Sequence, residues 1–81
     1  QFFIVDSLAW ALFRLGRTEE ALQAIRRAVA LTPSPEAEIL EHYGDIAAAA
    51  GQKEEARKAY EQALKLKPAN ADSLRLRLGD L

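Results

Sequence analysis

Apolar residues recur along this chain at helical spacing. Val5, Leu8, Ala9 and Leu12 fall at i, i+3, i+4 and i+7, one helix face, inside an apolar stretch that runs from Phe2 to Leu15. Phe3, Trp10 and Phe13 lie off that stripe. Ala21, Ala24, Ile25 and Ala28 make a narrower face that continues to Leu31. The pattern predicts helices over residues 2–15, about 18–31, 36–50, 53–66 and about 73–78. Gly16 and Gly51 are expected to end the first and third, because glycine accepts the left-handed cap conformation without strain. Thr32-Pro33-Ser34-Pro35 breaks the chain between the second and third, and Pro68 follows the fourth. Thr18, Ser34 and either Asn70 or Asp72 are the expected N-caps, with Glu19 and Glu20 at the positive end of the second helix and Pro35 in the first turn of the third.

The same punctuation occurs twice. Gly16 to Pro33 reads GRTEEALQAIRRAVALTP, and Gly51 to Pro68, 35 residues later, reads GQKEEARKAYEQALKLKP. Glycine, Glu-Glu-Ala, two further alanines, a leucine and the final proline coincide without a gap. A period of this size marks a stacked helical repeat. Alanine at 21, 24 and 28, and again at 56, 59 and 63, lets helix axes approach at the close end of the usual ~8–10 Å range. Gly44 falls in the middle of a helix, where glycine costs roughly 0.5–1 kcal/mol against alanine. A bulky side chain from the partner helix would explain it, and Tyr60 is the expected one.

These motifs resemble the tetratricopeptide repeat. The second unit reads Leu40-x2-Tyr43-Gly44-x2-Ala47, then Ala56-x3-Tyr60, Ala63 and Pro68. The first reads Val5-x2-Leu8-Ala9-x2-Leu12, then Ala21-x3-Ile25, Ala28 and Pro33, with Ala9 where the family usually has glycine. The extra residue that lengthens the period sits in the Thr32–Pro35 turn, where insertion costs little. The resemblance implies an all-α fold of antiparallel helix hairpins stacked as a right-handed α-solenoid. One repeat would cover about 2–35 and a second about 36–70, with a capping or partial-repeat helix over 71–81. It also implies a concave groove lined by the first helix of each repeat. The matching positions are Phe3, Asp6, Trp10, Phe13 and Arg14, then Glu38, Glu41, Asp45, Ala48 and Ala49, with His42 at the margin. The Lys, Arg and Asn with which some family members hold a C-terminal carboxylate are missing: Asp6, Trp10, Glu38, Glu41 and His42 stand there instead. A basic or apolar protein segment would complement such an acidic, aromatic wall, with Trp10 and Phe13 as anchors.

Bulk properties narrow the function further. In 81 residues there is room for one domain with a thin core. A net charge of −1 argues against nucleic-acid binding. No apolar run approaches the ~18 residues that span a bilayer. There is no cysteine, hence no disulfide framework and no thiolate metal site, and the redox compartment stays open. The opening QFFIV has neither a methionine nor a basic segment and reads as a cut end of something longer.

Chemistry is sparse. Glu38, His42 and Asp45 share a helix face at metal-ligand spacing, but one histidine without a second His or a Cys makes a poor site, and no metal or cofactor is expected. No nucleophile–base arrangement or Gly-rich phosphate loop is present, and Ser7, Ser34 and Ser73 suit helix starts, so no enzyme is expected. The carboxylates of residues 36–50 read as a solvated face. Arg26 and Arg27 are expected to look outward, and Glu54–Lys58 and Glu61–Lys65 to pair along a solvated helix. Two functions follow: a protein–protein interaction scaffold with a peptide groove, or a structural spacer whose open apolar ends stack on neighbouring repeats or on a second copy.

Overall fold

The computed structural model describes residues 2–81, with side chains described from Leu8 onward. It contains five helices: α1 (Phe2–Arg14), α2 (Thr18–Leu31), α3 (Ala37–Ala49), α4 (Lys53–Lys65) and α5 (Ala71–Gly79). There is no strand among the described residues. α1 packs most extensively on α2 and α3 on α4, forming two antiparallel hairpins. α2 meets α3 between them, and α5 lies on α4. The arrangement is a helical repeat solenoid. No helix among the described residues is long and apolar enough to cross a membrane.

The two hairpin turns are built alike. Gly16 and Gly51 take φ of +83° and +81°. Around each, two backbone bonds close the helix end. Arg17 N–H reaches Leu12 C=O at 2.9 Å and Gly16 N–H reaches Phe13 C=O at 3.0 Å; Gln52 N–H reaches Ala47 C=O at 2.9 Å and Gly51 N–H reaches Ala48 C=O at 3.1 Å. This is the Schellman arrangement, which satisfies carbonyls that a helix end leaves unpaired. α4 ends differently. Lys67 takes φ of +54° directly before Pro68, a conformation that strains a residue with a Cβ.

Two helix starts depart from expectation, and at the third Asn70 holds the expected position without a capping bond. Arg17, Glu36 and Asn70 stand at the N-cap positions of α2, α3 and α5, and none makes a side-chain cap bond. Thr18 is already the first helical residue, because the Gly16 turn delivers the chain to it directly. Ser34 and Pro35 precede the Glu36 cap, and Ser73 lies inside α5. The Asn70 amide is used elsewhere, as described below. Thr32 is extended ahead of Pro33, and its hydroxyl donates to Ala28 C=O at 2.6 Å.

The core follows the alanine stripes. Ala21, Ile25 and Ala28 of α2 and Ala56, Ala59 and Ala63 of α4 are buried, together with Leu22, Leu40, Ile46 and Leu74. Leu8 and Leu31, expected on apolar faces, are exposed instead. Trp10 and Phe13, expected off the stripe, pack against the core and are half-buried. Gly44 is buried as expected: a Cβ there would lie 2.4 Å from the Tyr60 ring.

Candidate functional site

Helix α3 sits between α1 and α5, and its side chains reach both. On the α1 side, the Trp10 indole stacks on the His42 imidazole, with centroids 4.2 Å apart and planes 16° apart. Trp10 also meets Phe13 at 5.3 Å in a tilted arrangement. The three rings form a half-buried aromatic shelf across two helices. Arg14 and Glu38 are exposed nearby on α1 and α3. Phe3 and Asp6, the other two candidate groove residues, lie outside the described side chains.

On the α5 side, the carboxylates of α3 are already engaged. Arg77 of α5 donates from one Nη to Glu41 Oε1 at 2.8 Å and to the two Asp45 oxygens at 3.2 and 3.1 Å. The Tyr60 hydroxyl donates to Asp45 Oδ1 at 2.5 Å, and the Asn70 amide donates to Glu41 Oε2 at 2.8 Å. Burial raises the Tyr60 phenol well above its ordinary value, and the hydrogen bond to Asp45 adds to that. Burial opposes the Arg77 charge, but the bond to Glu41 and the charge of Asp45 outweigh it, so the guanidinium is held more firmly protonated. Glu41 and Asp45 therefore do not belong to a purely solvated face. A long-range cation half-neutralises the acidic wall.

Between the aromatic shelf and this clasp lies an open hollow of about 460 Å³. Phe13, Ala48 and Leu81 give it apolar walls; Asp45, Lys53, Arg77 and Asp80 give it charges of both signs; Tyr60 forms part of its lining. Among the described residues, no group of three or more His, Cys, Asp or Glu side chains is placed to hold a metal ion.

A second polar cluster ties the hairpins together. Arg26 of α2 donates from Nε and Nη2 to the two Glu55 oxygens at 2.8 and 2.7 Å, and the Tyr43 hydroxyl donates to the same carboxylate. The bond from Arg26 pulls the Glu55 carboxyl below its ordinary range, against the opposing effect of burial, and Tyr43 pulls the same way. Burial and the bond to Glu55 push the Tyr43 phenol up to about 12. Arg26 is thus half-buried in a cross-hairpin pair, whereas Arg27 remains exposed as expected. Glu54 pairs with Arg57 at 2.7 Å instead of with Lys58.

Sequence reasoning missed both clusters. Their cations and the Asn70 amide lie 29 to 36 residues from the carboxylates they meet, and a charge in a helix carries no local sign of its long-range partner. One signal was available for the second. Arg26 sits one residue after buried Ile25, at the edge of the apolar face, where a long side chain can reach across a hairpin boundary.

A protein-family model described as "Tetratricopeptide repeat" matches residues 7–71. No curated protein and no solved structure gives a significant match.

Proposed function

The chain belongs to the tetratricopeptide repeat family, whose repeats are generally protein–protein interaction modules, and we propose that it is a non-enzymatic scaffold that receives a peptide or partner helix along the wall formed by α1, α3 and α5. The observation that carries this reading is the Trp10–His42–Phe13 shelf, whose Phe13 ring also lines the open hollow. Aromatic side chains that are held by packing yet half-exposed bind at low cost in conformational entropy.

The ligand follows from the surroundings. An apolar side chain seated against Phe13, Ala48 and Leu81 is the main anchor. Because Arg77 already occupies Glu41 and Asp45, the basic character of the ligand is a secondary preference, read by the exposed carboxylates Glu38 and Asp80. The wall exists before the ligand arrives, so little rearrangement accompanies docking.

Replacing Trp10 with alanine tests the reading. For a peptide selected against the intact chain from a library of apolar and basic sequences, affinity should fall about tenfold or more, the loss expected of an aromatic anchor. Helix content by circular dichroism should stay the same. An unchanged affinity would remove the groove from consideration.

A further inference from the structure

Glu41 and Asp45 are the half-buried carboxylates of α3, with side chains 19% and 22% exposed, and Asp45 also lines the hollow. All four of their oxygens accept a hydrogen bond from within the chain. Arg77 donates to Glu41 Oε1 and to both Asp45 oxygens, the Asn70 amide to Glu41 Oε2, and the Tyr60 hydroxyl to Asp45 Oδ1 as well. Of these three donors, Arg77 alone carries a charge.

Arg77 stands where the cation of a ligand would stand. One of its nitrogens makes all three contacts, whereas Arg26 forks onto Glu55 through two. The Arg26 fork is a closed pair of one cation with one carboxylate. Arg77 is a single positive charge shared by two negative ones. Its side chain is 34% exposed and lines the same hollow as Asp45. A charge in a place partly shielded from water alters what the place attracts more than it would on an open surface.

Resting on the groove reading above, we infer that Arg77 is the residue that decides the charge class of the ligand. With Arg77 in place, an arginine of the ligand finds every oxygen of Glu41 and Asp45 already taken, and it meets a like charge there. This part of the wall then selects an uncharged, apolar segment. Without Arg77, two partly desolvated carboxylates four residues apart on one helix offer oxygens to a guanidinium. The same wall then selects a basic segment.

The probe is an apolar peptide selected against the intact chain, remade with arginine or glutamine in turn at each position flanking its apolar anchor. Calorimetry gives the ratio of arginine to glutamine affinity. On the intact chain the ratio should stay within about threefold at every position, the range of an exposed ion pair. On Arg77→Gln it should rise to about tenfold or more at one position. Arg77→Lys keeps the cation and should hold the ratio near that of the intact chain. Arg77→Gln combined with Glu41→Gln and Asp45→Asn should lose the gain, which separates unmasked charge from a shift of α5. A ratio that does not rise in Arg77→Gln, or that rises equally in the lysine or the triple variant, would overturn the inference and leave the groove reading standing. A peptide whose affinity Trp10→Ala leaves untouched would bring down the groove reading, and this inference with it.

Discussion

The two hairpins solve one packing problem in two ways. The first has Ala9 and Ile25 where the second, 35 residues on, has Gly44 and Tyr60, and all four residues are buried. The tyrosine ring occupies the place where a Cβ on residue 44 would be. A large ring opposite glycine and a smaller side chain opposite alanine fill similar space, so the two positions change together. The ring also brings a hydroxyl that needs a partner once buried. Asp45 supplies it, at the position where the first hairpin carries Trp10. The result is an aromatic surface over the first hairpin and a polar clasp over the second. One backbone thus carries an aromatic shelf at one end and a polar fastening at the other.

The sharpest way to break this comparison is to give one hairpin the other's residue. Gly44→Leu should destabilise by about 1–3 kcal/mol or more in urea unfolding, because the added bulk meets a packed ring. Gly44→Ala should cost less, and Tyr60→Ile should offset part of that cost by restoring the pairing of the first hairpin. A double-mutant cycle measures the offset; additive losses would show that the two residues do not share the space.

The fastening between hairpins is weaker. Arg26→Ala leaves Glu55 and Tyr43 without their cation and should cost about 1 kcal/mol, limited by the partial exposure of the arginine. Its pH signature has a definite sign. The folded Glu55 carboxyl lies below its unfolded value of 4.5, so the stability it contributes is present above about pH 4.5 and is lost as pH falls through the folded value. Tyr43 acts at the other end: its contribution is present below pH 10 and is lost as pH rises toward about 12. Glu55→Gln should flatten the acid limb of the stability profile, as read by urea midpoints between pH 3 and 7, roughly the span over which carboxylates titrate.

The smallest effect concerns the helix ends. Glycine closes α1 and α3, while Lys67 takes the left-handed conformation after α4. Lys67→Gly should therefore raise stability by about 0.5–1 kcal/mol, visible as a higher melting temperature.

Most of the architecture was legible in the sequence because it rests on local signals. Glycine at 16 and 51, proline at 33 and 68, and alanine at a repeated spacing each act through backbone geometry or size. Even the Gly44–Tyr60 contact followed from the cost of a mid-helix glycine. The N-caps of α2 and α3 were misplaced: the Gly16 turn delivers the chain to Thr18 without a capping side chain, and at α3 the cap position falls on Glu36 instead of Ser34. The candidate site was legible only in part. Trp10, His42 and Phe13 come together through the repeat register. By contrast, the partial neutralisation of Glu41 and Asp45 depends on how α5 lies against α3, which no residue of α3 announces.

Trp10 is the single tryptophan of the chain, so the proposed shelf carries its own reporter. The most direct measurement is a tryptophan fluorescence titration with a selected apolar–basic peptide free of tryptophan, run beside calorimetry on the same samples. The expected result is a saturable spectral shift whose midpoint agrees with the calorimetric affinity. Calorimetric binding with no change at Trp10 would place the partner elsewhere on the molecule and contradict the assignment of the groove.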